Sequence, residues 1–246
     1  MNRNYWEKIA PSYNDEIFDL LQNDKKALVR LAIEEYASPD KTVIDIGCAI
    51  GKWLPVLAPA FKKVWAIDIS AKNLEIAKSA NSKYDNIAYL RADMSGSKPS
   101  LPLCDTGICI NAILTDSLKK RTAFFNNLPF CIKKKGQLII TVPSLESWML
   151  THIIQNQWKI DKGLSVARGS SAAKKYKNLL QGNADIDRVP TKHYLKEELQ
   201  LLLSKSGFVA DKIEKINYKW TTEFVKPPRW LKEPYPWDWM VVAIKK

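Results

Sequence analysis

Five residues of the chain have types and spacings that could do chemistry: Asp45, Gly47, Gly51, Asp68 and Asp93. Asp45-Ile46-Gly47-Cys48-Ala49-Ile50-Gly51 closes an apolar run, Thr42-Val43-Ile44. Glycines at such a turn let a ligand come close to the backbone. The dinucleotide fingerprint Gly-x-Gly-x-x-Gly is not met, because the spacing here is Gly-x-x-x-Gly. An acid two residues before the first glycine suits a ligand's ammonium end better than a pyrophosphate. Asp68 follows Gly47 by 21 residues, the distance at which an acid can take both hydroxyls of a ribose. Asp93 can accept from an exocyclic amine, and Met94 beside it offers an apolar face to a ring. Taken singly, either aspartate reads better as structural, Asp68 as a helix cap and Asp93 as a turn residue. The order acid, glycines, acid, acid along successive strand ends is what points to one ligand.

The elements that must position these residues alternate. Strands are expected at 42–46, 64–67, 86–90, 106–110 and 137–142, with helices from about 52, at 71–82 (capped by Ser70) and at 117–130. Such alternation calls for right-handed crossovers and a mainly parallel sheet, with ligands outside the carboxyl ends of its strands. Asn111, at the end of the fourth strand, faces the same crevice. Two amphipathic helices, 13–22 and 24–36, precede this core, the second with Asp24 as its cap. After Pro143 the rhythm breaks. Residues 144–159 and 170–181 read as helices and 181–187 as a loop. A helix at 195–206, capped by Gly207, and strands at 208–218 and 239–244 complete the chain.

The 246 residues are 46% hydrophobic, enough for one large domain with an insertion. No membrane span is expected, since no run of eighteen apolar residues occurs. The start of the chain lacks an apolar signal segment. Cys48, Cys104, Cys109 and Cys131 have no metal-type spacing and read as reduced thiols, so a cytoplasmic protein without metal is expected. The formal charge of +12 favours acidic partners. It is lysine-rich, however, and a solvated surface explains it as well as a nucleic-acid face does.

With those residues in place, the segments VIDIGCAIGKW, VWAIDIS, LRADM and GQLIITVPS resemble the successive motifs of class I S-adenosylmethionine-dependent methyltransferases. The similarity spans roughly 40–145. The opening Tyr5–Tyr13 and His193-Tyr194-Leu195-Lys196-Glu197-Glu198-Leu199 resemble the small-molecule branch that includes ubiquinone- and biotin-pathway enzymes. The resemblance implies a Rossmann-like three-layer α/β/α sandwich. Its seven-stranded sheet would be mostly parallel with an antiparallel last strand, with N-terminal helices and a helical insertion after strand five. One domain would fill 1–246: a helical cap at 1–38, the core at 40–143, a lid at 144–190, and core strands with a Pro/Trp-rich loop at 191–246.

It also implies S-adenosylmethionine as cofactor, leaving as S-adenosylhomocysteine. Gly47, Cys48 and Gly51 would form the loop under the methionine part, with Asp45 orienting its ammonium. Asp68 would bind the ribose and Asp93 the adenine amine, with Met94 and Ile69 on the ring. Asn111 would lie near the methionine end, and Tyr13 would close over the cofactor. Two positions depart from the pattern: Ala49 replaces the middle glycine, which is tolerable if its φ is negative, and Asn14 replaces an aspartate.

Methyl transfer from a sulfonium is an in-line displacement in which a catalytic base is optional. His193 could serve as base and Tyr194 as a hydrogen-bond donor to the acceptor, although a plain loop residue and a packing ring are the commoner uses. Most of the nine tryptophans read as packing, with a pocket role for one or two from the lid, Trp148 or Trp158. A small-molecule acceptor is the leading reading, an anionic one fitting the charge. RNA or protein is the alternative, and a non-catalytic cofactor-binding protein the third.

Overall fold

The computed structural model describes residues 2–160, 178–186 and 189–246. Its centre is a sheet of seven strands. They are β1 (Ser38–Ile46), β2 (Phe61–Asp68), β3 (Ile87–Arg91), β4 (Cys104–Ile110), β5 (Ile132–Pro143), β8 (Phe208–Asn217) and β9 (Trp237–Lys245). The order is β3-β2-β1-β4-β5-β9-β8. Strands β1 to β5 pair in parallel, and β9 runs antiparallel to both β5 and β8. This is the expected mostly parallel sheet with an antiparallel last strand; its central strands are near-continuously apolar and buried on both faces, while the edge strands β3 and β8 are partly exposed.

Strand residues alternate between the two faces. Ile44 and Ile46 join a core with Phe125 and Leu199, from helices α7 (Leu118–Asn127) and α9 (Lys196–Lys205). Val43 joins the other core, with Ile33, Leu57 and Leu74 from α4 (Leu28–Tyr36), α5 (Leu54–Leu57) and α6 (Ala71–Ala80). Asp45 lies on that second face by alternation, where a strand end meets the crevice.

Several expected elements shift. The first amphipathic stretch is broken into α2 (Tyr13–Glu16) and α3 (Leu20–Asn23), after α1 (Arg3–Ile9). Asp24 serves α4 from outside, its carboxylate accepting from Val29 N at 2.9 Å. Ser70 caps α6 as expected, accepting from Asn73 N. Helix α8 (Leu145–Trp158) begins the insertion. The helix expected at 170–181 falls outside the described residues except for 178–181, of which 178–180 are helical and 181 begins a turn. The expected loop at 181–187 is instead strand β6 (Asn183–Ile186), paired antiparallel with β7 (Val189–Lys192). Its turn-forming residues are overridden because the hairpin is anchored to the core: Lys192 N donates to Leu114 O, and Thr191 bridges Thr115.

Strand β9 matters most for the site. Because it is antiparallel, it begins where β5 ends, with Asp238 opposite Pro143 and Ile216. An acid from the last strand is thereby set at the rim where the parallel strands finish.

Candidate active site

Two adjoining cavities open along the carboxyl ends of the strands. Tyr13, Gly47, Ala49 and Asn111 border both. The smaller, about 850 Å³ including its open mouth, is walled by Asp68, Ile69, Asp93, Met94 and Phe124. The larger, about 2280 Å³ including its open mouth, is walled by Asp45, Cys48, Trp148, His193, Tyr218 and Asp238. The β1 loop therefore sits between them.

That loop is held in an uncommon conformation. Gly47 has φ 77° and Gly51 φ 80°. A Cβ on Gly47 would come within 2.5 Å of Ala112 Cβ. Gly51 plays a different part from the one expected. It borders neither cavity, and a Cβ there would strike Leu54, Ala77 and Asn81, so it is the packing of α6 against the loop that requires it. Ala49 also departs from expectation, with φ 48° rather than a negative value. The left-handed region costs a non-glycine residue roughly 1–2 kcal/mol. Ala49 N is anchored there by a 3.0 Å bond to Asp68 Oδ2.

Asp45 is 2% exposed, and its Oδ2 has no hydrogen-bond partner. Burial, with the Asp68 charge adding to it, pushes its carboxyl up to about 7. Asp68 is also raised, by burial, against the pull of its bonds from Ser70 N, Ala49 N and Asn73. Asp93 accepts from Ser95 N and Oγ at 2.8 and 2.7 Å, a turn-forming use, while still bordering the smaller cavity. Asn111 takes φ 47°, which asparagine tolerates, and its side chain bridges Thr141 Oγ1 and Asp238 Oδ2. Burial holds the Cys48 thiol well above its usual range, so it stays protonated.

His193 is 4% exposed, borders the larger cavity and has Nδ1 3.1 Å from Thr191 O. Tyr194 does not reach either cavity. It is fully buried, and its hydroxyl donates to Ile113 O at 2.8 Å, so the acceptor contact expected of it gives way to a core role. Of the two lid tryptophans, Trp148 borders the larger cavity, as Trp6 and Trp53 from elsewhere in the chain also do, whereas Trp158 is half exposed against Trp230.

A family model described as a methyltransferase domain matches residues 13–212. The chain belongs to that family. It is a methyltransferase of the class I, S-adenosylmethionine-dependent kind implied by its motifs, on the sheet order that kind requires.

Among solved structures this methyltransferase is similar to one described as S-adenosylmethionine-dependent from Anabaena variabilis. The two share 14% identity at a TM-score of 0.67, covering 100% of this chain and 96% of that one. It is also similar to the magnesium protoporphyrin IX methyltransferase of Synechocystis, solved with S-adenosylhomocysteine. That pair shows 15% identity and a TM-score of 0.61, over 99% and 98% of the two chains. A protein from Pyrococcus horikoshii matches at 17% identity and a TM-score of 0.66, over 100% of both chains. These likenesses concern the fold. No curated protein is similar enough in sequence to count as a relative.

The donor set of the methyltransferase fits its cofactor. An ammonium would complete the lone acceptor on Asp45, and Gly47, where a side chain would strike Ala112, brings bare backbone to the border of both cavities. Sequence reasoning missed three groups at this rim. Glu7 accepts from Ala71 N and Lys72 N and so fastens α1 to the start of α6. Asp238 accepts from Tyr218 OH at 3.1 Å as well as from Asn111, and burial pushes its carboxyl up to about 7. Tyr218 is the third. The one available signal was an acid inside the apolar run Trp237-Asp238-Trp239-Met240-Val241.

Proposed function

We propose that the protein transfers a methyl group to a small-molecule acceptor seated in the larger cavity. The observation that carries this reading is a roomy chamber beside the cofactor crevice. It is bordered by α1, α8, the β6–β7 hairpin and residues 218–238, and it shares Gly47, Ala49 and Asn111 with the smaller cavity. When bound, S-adenosylmethionine supplies an electrophilic methyl group on a sulfonium. Asp45 receives its ammonium, with Cys48 beside that end. Asp68 takes the ribose hydroxyls in place of part of its present bonding. Asp93, Met94 and Ile69 hold the adenine, and Asn111, braced by Asp238, fixes the methionine end. Tyr13 covers the junction. Trp148 and His193 face the acceptor, and His193 can take a proton where a hydroxyl or amine needs it. Alignment and water exclusion can lower such a barrier by roughly 7–11 kcal/mol.

A second reading, an RNA or protein acceptor, draws on the +12 charge. Calorimetry with S-adenosylmethionine tests the first step. The native protein is expected to bind and Asp68→Ala to bind at least about tenfold more weakly, the scale of lost hydrogen bonds to a charged group. No binding by native protein sinks the reading. Methyl incorporation into RNA or protein and not into metabolites moves the acceptor to the second.

A further inference from the structure

Helix α1 forms one wall of the smaller cavity and is lightly packed. Asn2, its cap, borders that cavity, and Trp6 and Tyr13 border both cavities. Of the seven residues of α1 only Ile9 is buried, while Arg3, Asn4 and Lys8 are exposed. Apolar burial therefore gives this wall little hold on the sheet. Glu7 supplies a directed tie. Its carboxylate accepts from Ala71 N at 2.9 Å and from Lys72 N at 3.2 Å. These are first-turn N–H groups of α6, which have no partner inside the helix and stand at its positive end. A carboxylate there makes two charge-assisted bonds. Those bonds, the one from Ala71 N foremost, hold the Glu7 carboxyl below the usual carboxylate range.

The same turn serves the crevice from inside. Asp68 accepts from Ser70 N, directly before Ala71, and from Ala49 N in the β1 loop. Residues 68–72 thus join the β1 loop, the acid read as the ribose ligand, and the wall that carries Trp6. The Trp6 and Tyr13 ring centroids lie 6.5 Å apart, so a movement of α1 disturbs the ring cover at the junction of the two cavities.

We propose that Glu7 is a positioning residue: clasped by the first turn of α6, it holds α1 as a movable wall over the crevice and sets how long cofactor or product stays bound. This rests on the reading of the smaller cavity as the cofactor's crevice. No covalent bond or proton moves in the step. The clasp opens, α1 carries Trp6 away from the cavity, and the crevice is uncovered for S-adenosylhomocysteine to leave. Closure of the clasp then excludes water around the next donor. Covers of this kind commonly limit turnover through product release.

The test loads the intact protein with radiolabelled S-adenosylhomocysteine and follows its release after dilution into excess unlabelled compound. Glu7→Ala is expected to release it at least about tenfold faster, the scale of lost hydrogen bonds to a charged group. Its urea midpoint should stay near that of the native protein. Glu7→Gln, which keeps an acceptor oxygen without the charge, should fall between the two, and it serves if Glu7→Ala does not fold. Hydrogen exchange at amides 3–9, slowed by S-adenosylhomocysteine in the native protein, should stay fast in Glu7→Ala. Trp6→Ala alters the wall without touching the clasp. It should speed release by itself and add little when combined with Glu7→Ala. Unchanged release in a folded Glu7 variant, or a lower urea midpoint at an unchanged release rate, overturns the clasp and leaves the cofactor reading standing. No S-adenosylhomocysteine bound by the native protein overturns both.

Discussion

The loop after β1 and the segment that leads into α9 both bury polar side chains, yet they treat them in opposite ways. At residues 45–51 a carboxylate oxygen is left unpartnered, and three successive odd positions hold positive φ. At residues 192–194 the polar groups are tied to the protein. Lys192 Nζ meets Glu198 at 2.7 Å, His193 Nδ1 approaches Thr191 O, and Tyr194 OH reaches Ile113 O. The first region holds strain and unmet bonding that a ligand can relieve. In the second, Lys192 and Tyr194 are scaffold, even where their residue types suggest chemistry, while His193 borders the larger cavity. Satisfaction of a buried group, more than its identity, separates the two.

The largest expected effect that could break this contrast is pH-dependent. The folded-state carboxyls of Asp45 and Asp238 stand at about 7, above the ordinary 3.8. Their contribution to stability is therefore complete below about pH 4 and lost as pH rises through 7, on the order of 4 kcal/mol each at most. The ligand-free protein is expected to melt lower at pH 8 than at pH 5, and Asp45→Asn to flatten that slope while weakening cofactor binding. Equal slopes in both proteins would remove the idea that Asp45 is held at a cost.

Gly47→Ala comes next. The forbidden φ and the close Ala112 methyl together cost about 2–4 kcal/mol. A lower melting temperature and at least a tenfold loss of S-adenosylhomocysteine affinity should follow. A variant that binds normally would show that the loop does not approach the ligand. Tyr194→Phe samples the other region. It orphans Ile113 O and should cost about 1–2 kcal/mol of stability, measured by urea unfolding, with cofactor affinity intact. Weakened binding at unchanged stability would return Tyr194 to the site. The smallest effect belongs to Ala49→Gly. Relief of the left-handed alanine, about 1 kcal/mol, is partly offset by the freedom glycine brings to the unfolded chain. A net gain below about 1 kcal/mol is expected, and a marked loss would place the Ala49 methyl in a useful contact.

The same contrast accounts for what the sequence made legible. Asp45, Asp68, Asp93 and Asn111 each stand at or just past the carboxyl end of a strand, and strand ends of a parallel sheet share one rim, so a linear reading gathers them there. Asp238 arrives by a route no linear spacing reports. Strand β9 inserts antiparallel between β5 and β8, and only that pairing lays residue 238 beside Asn111. The β6–β7 hairpin was hidden by Gly182, Asn183 and Pro190, whose local preference for turns yields to tertiary anchoring at Leu114 and Thr115. Gly51 was recognised as necessary for a reason the structure replaces: helix packing, not ligand approach.

Gly47, Ala49 and Asn111 form a common border of the two cavities. A single molecule joining an adenosine-like head to an acceptor-like tail could thus occupy both at once. Its second contact would form within one complex, at an effective concentration in the millimolar range for a short flexible tether. The head would be shared with every enzyme that uses this cofactor. Selectivity of such a bridging inhibitor would come from the tail, and so from the chamber assembled by the most distant parts of the chain.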